Sequence, residues 1–253
     1  DLYDADTIRY AAQPNWDEDQ SPHSEGVNRR DMYESYWKNA SKEDWQLMTM
    51  RYYANVTWID DMMGRTLAAL KEKGLLENTL IVYTSDHGEM LGERYYKFNK
   101  YNLYDASVRV PMLLSGSALP KDLNRNSVDD LSAENTDLLP TLLDFANIKQ
   151  DKPLLGESLL SKKRNKATFS ALHERNGEAA FMWRTKDYKL ILVFDRKENA
   201  LDYTEADIIT GEFFNLKTDA KEWMNLYNTS EILEIQNQYK KEMLEHLQKL
   251  ELL

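Results

Sequence analysis

Apolar positions along the chain fall into three patterns, and each predicts a different kind of element. From Tyr52 through Val56, Ile59, Met63 and Leu67 to Leu70 they recur at the alternating three- and four-residue steps of a single helix face. Ser41 followed by Asp44 has capping-box spacing, and Gly74 offers a left-handed stop, so a helix buried along that stripe is expected from Ser41 to about Lys73. The second pattern is a continuous apolar run, Thr79-Leu80-Ile81-Val82-Tyr83-Thr84, which predicts a strand buried on both faces in a parallel sheet. Val110 to Leu114 is a candidate for a further core strand, and Asp137 to Ala146 for a short helix that tolerates Pro140 in its first turn. The third pattern is a series of short strand candidates, Ala167 to Leu172, Ala180 to Arg184, Lys189 to Phe194 and Gly211 to Leu216. No helix separates them, which predicts an antiparallel sheet. Ile232, Ile235, Tyr239, Met243, Leu247 and Leu250 then mark an amphipathic helix, capped at Ser230, that covers this sheet. Residues 1 to 40 are polar and aromatic without periodicity, carry Pro14, Pro22 and Asp17-Glu18-Asp19, and read as an ordered surface loop. The class is α/β, with one unit over residues 1–155 and a smaller one over 156–253.

Composition narrows the chemistry. A chain of 253 residues, 42% hydrophobic, can bury a sizeable core. It contains no run of about 18 apolar residues, which predicts no membrane span, and its first residues do not resemble a signal peptide. The chain opens on Asp1 rather than methionine, so the natural product is expected to extend upstream, with any targeting segment there. Lys and Arg number 32 against 43 for Asp and Glu, a net charge of -11, which argues against a nucleic-acid partner held by counterion release. The absence of cysteine removes disulfides, thiolate-ligated zinc and a thiol nucleophile together.

Asp86, His87 and Gly88 follow the Thr79–Thr84 run, at the strand end where open α/β sheets place ligand sites. An adjacent carboxylate and imidazole on an irregular turn can reach one metal ion, and Gly88 permits a backbone conformation barred to other residues. An Asp turn-former beside a hydrogen-bonded histidine accounts for the same triplet. Downstream, Arg94, Lys97, Lys100 and Arg109 make a basic stretch opposed only by Asp105, suited to an anion or to plain solvation. His173, with Glu174 and Arg175, ends a strand candidate and either lines a pocket or is surface. His23 and His246 have no partner at ligand spacing and are read as structural.

Longer stretches carry a resemblance. Tyr53-Ala54-Asn55-Val56 with Asp60-Asp61-Met62-Met63-Gly64-Arg65, then Gly74-Leu75-Leu76-Glu77-Asn78-Thr79 and Tyr83-Thr84-Ser85-Asp86-His87-Gly88, occur in the order seen in the sulfatase family of the alkaline-phosphatase superfamily. Leu91-Gly92-Glu93-Arg94, Lys100 and Tyr104-Asp105-Ala106-Ser107-Val108-Arg109-Val110-Pro111 continue it, the Gly92-Glu93-Arg94 variant being similar to choline-sulfatase-like members. Leu138 to Asp144, Lys186-Asp187-Tyr188-Lys189 and Phe214-Asn215-Leu216 through Asn225-Leu226 extend it nearly to the end. The resemblance implies the carboxyl-terminal half of an alkaline-phosphatase-like mixed sheet with helices, plus a small antiparallel sheet and a carboxyl-terminal helix.

It also implies roles. Asp86 and His87 would be two ligands of a calcium ion, with Mg2+ and Zn2+ as alternatives. Lys100 would contact a sulfate oxygen and support the nucleophile, with Lys97 the second candidate for that place. Arg94 and His173 would be further substrate contacts, Arg94 having a structural ion pair as its other reading. Arg109 would tie its loop to the sheet, and Asp60 and Gly64 would serve packing.

The family's nucleophile, a formylglycine made from the Cys or Ser of a [CS]-x-P-x-R element, does not occur here. The residues two positions before the six prolines are Ala12, Gln20, Arg109, Ala118, Leu138 and Asp151. The paired aspartates of the family's first strand are absent too. The resemblance therefore implies a sulfuric ester hydrolase whose amino-terminal half supplies the nucleophile, this chain alone being inactive. The expected partners are a sulfated small molecule or sugar and the missing half, and the expected compartment is periplasmic or secreted. Two other readings stand beside it: a phosphodiesterase or phosphonate monoester hydrolase of the same superfamily, and a noncatalytic split half acting as an interaction module.

Overall fold

The computed structural model describes residues 2–9, 11, 39–96, 98–120, 123, 126–173, 178–195 and 202–250. The expected loop over residues 1 to 40 lies mostly outside them, His23 included; its described start holds a 3-10 turn at Ala5–Thr7. Helix α1 runs Lys42–Glu72. Ser41 Oγ accepts from the Asp44 amide (3.1 Å) and the Asp44 carboxylate accepts from the Ser41 amide (2.9 Å), closing the expected capping box. At the other end Gly74 adopts φ 67° while the Leu75 and Gly74 amides donate to the Leu70 and Lys71 carbonyls, a Schellman stop.

The burial of α1 differs from expectation. Trp45, Gln46 and Thr49 of its first turns are buried, and Trp45 stacks on Phe98 at 4.9 Å. The stripe itself is open at Tyr52, Val56 and Ile59, 38%, 46% and 45% exposed. Asp60 and Gly64 are exposed as well, and a Cβ built on Gly64 meets nothing within 4 Å, so among the described residues neither serves packing. Periodicity identifies which face is apolar and says nothing of what covers it.

Strand β1 (Ile81–Thr84) pairs antiparallel with β2 (Met112–Ser115), Ile81 opposite Ser115 and Thr84 opposite Met112. The expected parallel, doubly buried strand is thereby corrected: among the described residues β1 has this antiparallel neighbour, and its four residues are only partly buried. A β-branched apolar run reports a tendency to be covered, not the direction of its partner. Strand β2 starts after Pro111, which has no amide to give a ladder. Between the strands lie two single-turn helices, α2 (Glu93–Tyr96) and α3 (Asp105–Val108), and beyond them α4 (Leu138–Phe145).

The later elements form the expected antiparallel meander, β3 (Thr168–His173), β4 (Glu178–Arg184), β5 (Tyr188–Asp195) and β6 (Ile208–Asn215), in spatial order β3-β4-β5-β6. The two-residue period of these strands sends alternate side chains to two different partners. Phe181, Leu190, Leu192, Phe194 and Phe213 meet Tyr239, Met243 and Leu247 of helix α5 (Leu233–Leu250). Ala180, Met182, Ile191, Val193 and Phe214 meet Met90, Leu103 and Tyr104 from the loops that follow β1. Helix α5 begins at Leu233, so Ser230 lies in the preceding turn rather than at its cap. The sheet is thus covered on both faces, and its second face is what carries the β1 loops.

Candidate functional site

At the end of β1 the chain turns through Ser85-Asp86-His87-Gly88, and short polar side chains define the turn. Ser85 Oγ donates to the His87 carbonyl (2.8 Å), and the His87 amide donates to Asp86 Oδ1 (3.0 Å). Asn135 fastens the turn from the side, Nδ2 donating to the Ser85 carbonyl (2.9 Å) and Oδ1 accepting from the Thr84 hydroxyl (3.1 Å). Asp86 and His87 remain exposed. The imidazole sets Nδ1 2.9 Å from the Gly88 carbonyl and Nε2 3.4 Å from Asp86 Oδ2. With its proton on Nδ1 the ring donates to that carbonyl, which leaves the Nε2 lone pair beside the carboxylate. The amide of His87 holds the Asp86 carboxyl below the usual range, so it is anionic at neutral pH.

A carboxylate oxygen and an imidazole nitrogen meeting at one exposed point fit two positions of a divalent-cation shell. They are no more than two, because among the described residues no cluster of three or more His, Cys, Asp or Glu is arranged to hold a metal.

Gly88 joins this turn to the next loop, its amide donating to the Ser107 carbonyl at 2.6 Å. A Cβ at position 88 would stand 2.2 Å from the Ala106 carbonyl oxygen. Glycine is required by that approach and not by a left-handed backbone, which corrects the expectation: among the described residues the positive-φ glycines are Gly74, Gly92 and Gly116. A second link follows at once, from the Met90 amide to the Asn99 carbonyl (3.2 Å). Between them Glu89 is half-buried, with Oε1 enclosed and without a hydrogen bond. Burial pushes the Glu89 carboxyl up, against the opposing pull of the Leu91 amide and the Lys100 charge. The Lys100 segment is thereby joined through backbone to the residues that follow the Asp86–Gly88 turn.

Of the other expected contacts, the side chain of Arg94 is described. Arg94 is 1% exposed, sits at φ 50°, and lays its guanidinium 3.8 Å over the Tyr104 ring, a packing arrangement in the interior. Lys97 lies outside the described residues. His173 ends β3 opposite Ala179, and its side chain is likewise outside them. Arg109 is exposed, and among the described residues it does not make the expected tie to the sheet.

The sulfatase family model matches residues 11–148, and the model described as N-sulphoglucosamine sulphohydrolase, C-terminal, matches residues 92–249. The chain belongs to the sulfatase family. It is 33% identical over 231 residues to arylsulfatase K of Bos taurus, covering 84% of this chain and 39% of that relative. A structure solved in complex with its substrate D-glucosamine-2-N,6-O-disulfate aligns at TM-score 0.70 and 27% identity, over 89% of this chain and 46% of the other. The phosphonate monoester hydrolase of Silicibacter pomeroyi aligns at TM-score 0.79 and 23% identity, over 97% and 51%, a likeness of fold. This sulfatase chain thus spans about two fifths of the length of the curated relative it matches.

In the sulfatase chain the tie between loop and sheet is made by Asp105. Its carboxylate accepts from Arg184 Nε (2.9 Å) and Nη2 (2.8 Å) and from Lys189 Nζ (2.8 Å), while its amide donates to Glu222 Oε2 (2.7 Å). Lys189 is wholly buried and also pairs with Glu222 Oε1 at 2.5 Å. Burial opposes ionisation of Asp105, but the Lys189 and Arg184 charges outweigh it and hold the carboxyl well below the usual range. Composition did not single out these residues. The available signal was a lysine and an arginine at alternate positions of apolar strands, on the face opposite α5.

Proposed function

We propose that the complete protein hydrolyses a sulfate ester of a sugar, with this chain supplying Asp86 and His87 to a divalent cation and Lys100 to the sulfate oxygens. What supports the reading is the tie between the two loops that carry these residues, the Gly88 amide donating to the Ser107 carbonyl and the Met90 amide to the Asn99 carbonyl, next to Lys100. Asp86 offers an anionic oxygen, and the Gly88 carbonyl keeps the His87 ring turned so that Nε2 faces the same point. A bound cation, calcium in this reading, would supply Lewis-acid polarisation of a sulfate oxygen. Calcium takes about 6 to 8 oxygen ligands, so most of its shell comes from the part of the protein outside these residues, as does the formylglycine. The Lys100 ammonium would stabilise the sulfate oxygens as they gain charge during transfer. A sugar substrate is supported by the neighbour holding a glucosamine disulfate. Export to the periplasm or the exterior is the compartment that goes with this reading.

The test is sulfate release by the complete protein from sulfated glucosamines, beside a phosphonate monoester control. Sulfate release is expected, with a loss in kcat of about 10²–10³ on Lys100→Ala, the scale at which a transition-state donor acts. Phosphonate turnover without sulfate release would move the assignment to the other hydrolase class, whose members share the fold.

A further inference from the structure

We propose that Asp105, clamped by Arg184, Lys189 and Glu222, is the positioning residue that holds the Lys100 segment against the Asp86–Gly88 turn. The proposal rests on the sulfatase reading for what Lys100 does, and on geometry alone for what holds it. Asp105 lies five residues after Lys100 and two before Ser107, whose carbonyl receives the Gly88 amide at 2.6 Å. A force applied at Asp105 therefore fixes both flanks, the one carrying the ammonium and the one docked on the metal-ligand turn.

The clamp is built for direction rather than for mere attachment. The Arg184 guanidinium meets both carboxylate oxygens through Nε and Nη2, a forked contact that fixes the plane of the carboxylate. Lys189 comes in on Oδ1, and Glu222 takes the backbone amide, so side chain and main chain of Asp105 are held from the same side. All three clamping residues belong to β4, β5 and the turn after β6. The neighbouring Tyr104 adds a second point, its hydroxyl donating to the buried Glu212 of β6 at 3.0 Å while Arg94 covers its ring. The antiparallel sheet thus acts on the reaction through the loop it holds: it is the template on which the Lys100 segment is set.

Lys189→Met leaves two buried carboxylates short of a cation and endangers folding, so the test rests on Arg184, whose side chain is 23% exposed. Arg184→Met and Arg184→Lys are made in the complete protein and compared with the parent by hydrogen exchange over residues 99–108 and by steady-state sulfate release. For Arg184→Met the expectation is faster exchange confined to that segment, a raised KM with a lowered kcat, and a loss in kcat/KM of about 10²-fold, the scale of a misplacement of about 1 Å. Arg184→Lys should recover part of both readouts, since it restores charge without the fork. Unchanged exchange in folded Arg184→Met would overturn the clamp. Faster exchange with KM unchanged and kcat reduced only by the loss of folded protein would overturn its positioning role. A parent inert toward sulfate esters would instead remove the functional reading, and the exchange comparison would still decide the clamp.

Discussion

At Gly88 and Lys189 a single side chain, or its absence, decides whether two segments meet. Any Cβ at position 88 must displace the Ala106 carbonyl, which it would approach to 2.2 Å. Gly88→Ala is therefore expected to cost about 1–3 kcal/mol, the usual range for overpacking a fitted contact, and to abolish sulfate release by separating turn from loop. Urea denaturation and activity of the complete protein check the two halves of that statement. Lys189 is the opposite case, a charge whose burial is tolerable only because Asp105 and Glu222 surround it. Lys189→Met is expected to cost about 3–5 kcal/mol, as removal of one partner from a buried ion cluster does, whereas an unshifted unfolding midpoint would mean that the cluster contributes nothing net. The Asp86–Gly88 turn was legible in the sequence because motif and strand end coincide there. Asp105 was not, since its value comes from partners 79 and 84 residues away.

Among the elements, α5 is where sequence pattern and structure agree most fully, and its one histidine makes the agreement testable. The stripe through Tyr239, Met243 and Leu247 is buried on β4 and β5 as its spacing predicts. His246 sits beside Phe169 and Trp183, ring centroids 4.7 and 5.2 Å away. Burial, with Lys249 nearby, lowers its pKa from the ordinary 6.5. Below that ordinary value the unfolded chain binds the proton more readily than the folded one. The stabilisation from a neutral His246 is thus complete above pH 6.5 and is lost as pH falls through the lower folded value. Replacing it with glutamine should flatten stability between pH 7 and pH 5 relative to the parent, as read from urea midpoints across that range; parallel curves for the two proteins would remove His246 as the cause. The β3–β6 meander was equally legible because local alternation specifies it. Strand β1 was misread as parallel because the direction of pairing depends on a partner some thirty residues on, which no local pattern encodes.

For the molecule as a whole, the open stripe of α1 carries the strongest statement. Tyr52, Val56, Trp58 and Ile59 expose between 38% and 63% of their surfaces, and Leu139 and Leu142 of α4 are open as well. A helix of 31 residues with a sustained apolar face requires cover. The matched relative is more than twice as long as the aligned region, and in the complete protein that additional chain is the expected cover. The prediction distinguishes a covered face from a solvated one by magnitude. If Val56 and Ile59 are buried in the complete protein, changing both to lysine removes about 1.5–3 kcal/mol of apolar burial at each position and shifts the urea midpoint accordingly. If the face is solvated there too, the same double substitution stays within about ±0.5 kcal/mol, as surface changes do. An Arg65→Glu control, placed where the guanidinium makes an exposed pair with Asp61, reports the effect of charge alone on the same helix. A large shift for the apolar pair with a small one for the control would show that α1 is an interior element of the complete protein, and that the Asp86–Gly88 turn at the end of β1 belongs to a scaffold of which this chain is one side.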